Sequence, residues 1–161
     1  RVAERSNVTT YLMRRSGFEA VCMHKAEGRA VIRVIPVEVG QRRYLGVGAG
    51  ATALLAGLPD ETVERVIGTI APELGGLENL DADSVRQAVA TTRETGFSES
   101  RGRAYRSIFG MGMGVCAFAE EPDLAISIAV HSDEVDEGRI ADWKAILREE
   151  IGETQARIAA A

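Results

Sequence analysis

Residues 44–59 read YLGVGAGATALLAGLP, a glycine-rich turn that runs directly into a short apolar segment. Glycines 46, 48 and 50 let the backbone take positive φ and approach a ligand closely, and the run from Ala51 to Leu58 predicts a buried helix. A helix beginning there aims unpaired N–H groups and the positive end of its dipole into the loop. The stretch is therefore either a cradle for a small molecule or anion, or a tight loop whose glycines serve packing. GxGxG without GK[ST], without a preceding parallel strand and without a later ribose-binding acid specifies neither a P-loop nor a dinucleotide fold.

Upstream, residues 1–6 (RVAERS) read as the end of a helix broken at Asn7. Three β-like runs follow, Val8 to Arg14, Phe18 to His24 and Ala30 to Val37, and the short gaps between them predict antiparallel hairpins. Downstream, Pro59-Asp60-Glu61 carries the acidic first turn of a helix whose apolar face is Val63, Val66, Ile67 and Ile70. Gly75-Gly76 ends that region. Asp81 or Asp83 can cap the next helix, with Val85, Ala88, Val89 and Thr92 as its apolar face and Gly96 as its C-terminal stop.

A short strand is expected near Ser98 to Arg103. In the run that follows, Ile108 to Phe118 (IFGMGMGVCAF), glycines at 110, 112 and 114 strip one strand face of side chains, while Met111, Met113 and Val115 fill the other. Glycine inside a strand is costly, and its usual reason is close approach by a backbone or a ligand. Leu124 to Val130 (LAISIAV) has the same parity: Ile126, Ile128 and Val130 load one face, and Ala125, Ser127 and Ala129 keep the other small. Pairing of the two runs through Glu120-Glu121-Pro122-Asp123 joins their small faces into a wall, which either borders a cavity or receives a closely packed helix. The terminal helix, with Ile140, Trp143, Ile146, Leu147, Ile151 and Ile158 at helical spacing and Asp133 or Asp136 as N-cap, covers the sheet or forms a subunit contact.

The chain has 161 residues, enough for one domain that buries roughly 70% of its unfolded surface. No apolar run reaches the ~20 residues of a bilayer span, so no membrane partner and a cytoplasmic location are expected. Cys22 and Cys116 lie far apart in apolar runs and read as buried thiols. His24 and His131 end their strands, with no third histidine or cysteine pair to complete a metal site, and no cofactor is implied. A net charge of −5 argues against nucleic-acid binding by this chain itself. Arginines nevertheless cluster at 14–15, 42–43 and 101–106, as a solvated rim or as a funnel for an acidic ligand. The start at Arg1, without methionine, reads as a piece of a longer protein.

This order of elements suits an α+β fold, a GAF/PAS-like six-stranded antiparallel sheet flanked by helices. The sequence resembles the C-terminal, effector-binding domain of IclR-family bacterial transcription regulators over essentially its whole length. The resemblance is carried by LGVGAGATALLAGLPDE (Leu45 to Glu61), VRQAVATTRETGFS (Val85 to Ser98) and LAISIAV. It implies that residues 1–161 are a single regulatory domain, and that an N-terminal winged helix-turn-helix, absent from this chain, binds DNA. Self-association as a dimer or tetramer and a small-molecule effector are implied as partners, with no catalytic function.

Carried across by position, the family's ligand pocket would be lined by Val31, Val34, Tyr44, Gly48, Ala49, Gly50, Ser100, Arg101, Gly112, Ser127 and Ala129. The sequence departs from the commoner pattern where Tyr44-Leu45-Gly46 replaces Pro-x-His, where Ser100-Arg101 replaces an acidic pair, and at Ala129. Loss of a carboxylate and gain of arginine favour an anionic organic acid or aromatic acid as ligand. A small hydrolase or transferase using Cys116 or Ser127, and a ligand-free oligomerisation domain, are the other readings.

Overall fold

A computed structural model of the chain describes residues 1–30, 34, 36–77, 79–116 and 122–161. Val31, Glu78 and the stretch 117–121, which includes the expected strand end at Phe118 and part of the expected turn, lie outside the described residues.

The polypeptide forms α1 (Val2–Ser6), β1 (Thr9–Ser16), β2 (Glu19–Ala26), β3 (Arg42–Tyr44), α2 (Ala49–Ala56), α3 (Asp60–Ile70), α4 (Ala82–Thr95), β4 (Ser98–Arg101), β5 (Ile108–Val115), β6 (Leu124–His131) and α5 (Glu137–Ala159). The six strands make one antiparallel sheet in the order β3-β2-β1-β6-β5-β4. The fold is α+β, as expected. The third strand of the described residues is the three-residue Arg42–Tyr44, paired with Glu19, Ala20 and Val21, whereas the expected run Ala30 to Val37 lies partly outside the described residues, and its described positions Ala30, Val34, Pro36 and Val37 are not in a strand. β-Propensity drew the expectation to the longer apolar run, whereas the edge position was taken by a short polar segment, consistent with the brevity of edge strands.

Two apolar layers sandwich the sheet. On one face, α2 lies buried along its whole length between the strands and helices α3 and α4, whose inward residues are Val63, Val66, Ile67 and Ile70, and Val85 and Val89. On the other, α5 and α1 cover Phe109, Met111, Val115, Ile128 and Val130, with the Trp143 and Phe109 rings stacked at 5.9 Å between centroids. Asp136 caps α5 by accepting from Arg139 N at 2.8 Å, and Asp81 caps α4 in a reciprocal pair with Ser84. Cys22 is buried, and Cys116, contrary to expectation, is exposed at the end of β5. Among the described residues no helix is long and apolar enough to cross a membrane.

Candidate functional site

The glycine-bearing face of β5 and the small face of β6 adjoin, in the register Gly110↔Ala129, Gly112↔Ser127 and Gly114↔Ala125. Both readings of that wall apply, each to a different part of it. At Gly112 a Cβ would come within 3.0 Å of the Ala49 carbonyl oxygen and of Ser98 Oγ, so α2 rests directly on this strand. Gly110, Ser127 and Ala129 line a cavity of about 60 Å³, with α2 close beside them: a Cβ on Gly110 would lie 3.1 Å from Ala49 Cβ. The floor is completed by Tyr11 and Met13 on β1, one side by Gly48 to Ala51 at the start of α2, and the roof by Arg43, Pro36 and Tyr105.

The opening loop is shaped by backbone geometry. Gly46 and Gly48 have φ of 93° and 87°, values that side chains rarely permit, and Thr52 Oγ1 donates to the carbonyls of both at 3.2 and 2.8 Å. The first backbone hydrogen bond of α2 runs from Thr52 N to Gly48 O at 3.0 Å. The N–H groups of Ala49, Gly50 and Ala51 therefore precede any intrahelical partner, and no side chain of the described residues caps them. Ser127 stands beside them: a Cβ on Gly50 would lie 2.9 Å from its Oγ. Ser127 is 6% exposed, and its hydroxyl has no hydrogen-bond partner among the described residues.

The roof is a clasp across the concave face. Arg43 lies on edge strand β3 and Tyr105 in the connection after edge strand β4, yet Arg43 Nε donates to the Tyr105 hydroxyl, and the guanidinium lies over the Tyr105 ring. Arg43 Nη2 donates to Pro36 O and Nη1 to Arg42 O, both at 2.9 Å. All these acceptors are neutral, and among the described residues no carboxylate lines the cavity. The Tyr11 hydroxyl donates to Val34 O at 3.2 Å, and burial, foremost, pushes its phenol pKa up, so it stays a neutral donor.

Of the positions carried over by resemblance, Gly48, Ala49, Gly50, Ser100, Ser127 and Ala129 line the cavity. Val31 lies outside the described residues, and Val34 packs half-buried beside the core, outside the lining. Three placements are corrected. Tyr44 pairs with Glu19 and is exposed, because strand parity turns its neighbour Arg43 inward with Ala20. Arg101 pairs with Phe109 on the α5 face, where its guanidinium sits 5.2 Å from that ring and bonds Glu99 at 3.0 Å; Ser100, paired with Gly110, faces the cavity instead. Gly112 has the correct parity but is covered by α2. The residues missed were Arg43 and Tyr105. The Arg42-Arg43 cluster was visible, but its parity was not, because the strand carrying it was misplaced. Neither histidine lines the cavity that Ser127 borders.

Residues 1–153 match the family described as the bacterial transcriptional regulator IclR C-terminal domain. The chain belongs to this family. Its fold matches the crystal structure of Thermotoga maritima IclR with a TM-score of 0.87 at 19% identity, covering 98% of this chain and 64% of that one. An IclR transcriptional regulator from Alicyclobacillus acidocaldarius gives 0.82 at 20%, covering 96% and 62%. The C-terminal domain of the E. coli transcriptional regulator KdgR gives 0.78 at 16%, covering 94% and 88%. The chain thus spans under two thirds of the T. maritima and A. acidocaldarius proteins. At these identities the likeness is one of fold. No curated protein sequence matches the chain. The family and the fold are those of transcriptional regulators.

Proposed function

We propose that this IclR C-terminal domain is a ligand sensor whose cavity holds a small organic anion, and that occupancy alters DNA binding by an N-terminal domain of the same regulator. The observation that carries the reading is the Ser127 hydroxyl, which bonds no described residue and borders the cavity beside the uncapped start of α2. Polar groups inside a protein are normally hydrogen-bonded, so a site that offers several donors and, among the described residues, no carboxylate suits a ligand that brings acceptors and negative charge. A cavity of about 60 Å³ has room for roughly four to six waters at ~10–15 Å³ each, the scale of a short acid.

A ligand regulates only if it binds one arrangement of the regulator more tightly than another. Self-association as a dimer or tetramer supplies such arrangements and belongs to the same reading. The test is calorimetry of the chain with short carboxylic acids and their neutral amides. Acids binding, amides failing and Ser127→Ala weakening the acids support the site; indifference to charge overturns it. For the whole regulator, an acid that binds the domain must change operator affinity in a mobility-shift assay, and an unchanged affinity removes the sensor role.

A further inference from the structure

The clasp over the cavity is made by a cation that no carboxylate of the described residues neutralises. Arg43 donates only to the Tyr105 hydroxyl and to the carbonyls of Pro36 and Arg42, and no ion pair satisfies its charge among the described residues. Those three bonds leave two of the five guanidinium N–H groups without an acceptor. The Tyr105 hydroxyl accepts from Arg43 and has no acceptor of its own among the described residues. A half-buried guanidinium facing neutral dipoles loses hydration without gaining a counter-charge, and a carboxylate beneath it supplies both charge and a second acceptor oxygen.

This cation is separate from the anchor at Ser127. Arg43 stands on β3 and Ser127 on β6, and two strands, β2 and β1, lie between them. With neighbouring strands about 4.8 Å apart, the two backbones are separated by roughly 14 Å across the sheet. The arginine side chain reaches over part of that span, where Tyr105 meets it, while Ser127 and the α2 start border the same cavity. One carboxylate occupies one of these positions, and the other is left for a second acidic group on the same molecule.

We propose that Arg43 is a specificity-determining residue, pairing with the second acidic group of a short dicarboxylate whose first group sits at Ser127 and the α2 N-terminus. The assignment rests on the anion-sensor reading above. It adds a preference by number of charges, set by a side chain that lies on the far edge of the sheet and reaches the site only through the clasp with Tyr105.

The test is calorimetry of the whole chain with succinate against butyrate and glutarate against valerate, pairs matched in carbon number, on the wild type and on Arg43→Gln, Arg43→Lys and Tyr105→Phe. The expected result is that the wild type prefers each diacid by roughly 10- to 100-fold, the range of one charge-assisted bidentate contact. Arg43→Gln should abolish that preference by lowering diacid affinity more than monoacid affinity, Arg43→Lys should keep part of it, and Tyr105→Phe should reduce it less. Equal binding of diacid and monoacid by the wild type, which requires no variant to fold, overturns the role of Arg43 and leaves the anion site standing. So does a diacid preference that survives in Arg43→Gln. Failure of every acid to bind the wild type overturns the sensor reading together with this one.

Discussion

The Ser98 hydroxyl donates to the Ala49 carbonyl oxygen at 2.6 Å, joining the first residue of strand β4 to the first residue of helix α2 across 49 positions of sequence. The same Oγ lies 3.2 Å from Gly112 O, and Ser98 is wholly buried. One small side chain thus fixes the height of the α2 start above the sheet, and with it the wall of the cavity. Ser98→Ala removes this bond but leaves both carbonyls their helix and ladder partners. The expected loss is about 1 kcal/mol, a fall in Tm of roughly 2–4 °C by calorimetry, with weaker acid binding in the same samples. An unchanged Tm would show that the bond contributes nothing.

Gly112 meets the same backbone. A Cβ there would lie 3.0 Å from the Ala49 oxygen and 3.1 Å from its carbonyl carbon, atoms that move only if the whole helix moves. Gly112→Ala is therefore expected to destabilise by about 1–3 kcal/mol, the range for overpacking in a close-packed interior. Urea denaturation reads this directly, and a variant as stable as the parent contradicts the close seating of α2.

Helix α2 has no charged residue in either end turn, and its C-terminal carbonyls are satisfied from another helix. Arg93 on α4 donates from Nε to Ala56 O at 2.8 Å and from Nη2 to Leu58 O at 2.6 Å, while Nη1 pairs with Asp60. Arg93→Met keeps much of the apolar stem and removes all three bonds. A cost of about 1–2 kcal/mol is expected, most of it from carbonyls left without a partner. Amide hydrogen exchange should show α2 and the start of α3 losing protection first; uniform loss across the fold argues for a different cause.

Thr52 ties the glycine loop to its own helix through the Gly46 and Gly48 carbonyls. Thr52→Val preserves shape and removes the donor, with an expected cost of about 0.5–1.5 kcal/mol. Because the bond orients the loop that borders the cavity, acid affinity should fall more than global stability does. Proportional losses would mean that the hydroxyl only stabilises the fold.

Glu150 on α5 is 4% exposed, accepts from Arg5 Nη1 at 2.9 Å and lies 3.1 Å from Arg1 Nε, so it pins α1 to α5. The Arg5 hydrogen bond, foremost, holds its carboxyl below the ordinary glutamate value, outweighing the opposing effect of burial. With the folded pKa below the unfolded one, the unfolded chain binds the proton more readily. The pair's contribution is therefore complete above the ordinary value of 4.5 and is lost as pH falls through the folded one. Tm should hold steady from neutral pH down to about 5 and then decline, and Glu150→Gln should flatten the decline. A variant curve parallel to the parent's would exclude Glu150 as its source.

Local chemistry made much of this protein legible from its sequence. The αL break at Asn7, the capped starts at Asp81 and Asp136, the stop at Gly96 and the period of α3 and α5 each depend on residues within one or two turns of one another. The paired small faces of β5 and β6 followed from alternation alone, because a strand's period of two assigns every other residue to one face. What the sequence could not settle was any choice that turned on a single-residue step or on distant contacts. Ser100 and Arg101 are neighbours, yet one faces the cavity and the other the Phe109 ring, a parity set by pairing with β5. Gly112 has the right face and is still excluded, because α2 descends onto it. Arg43 meets Tyr105 only because the sheet brings its two edges together over the concave face. Sequence spacing determined the elements and their faces, through short-range sterics and hydrogen bonding. Which side chains share the cavity was decided by the tertiary structure, since register and sheet closure depend on contacts between residues far apart in the chain.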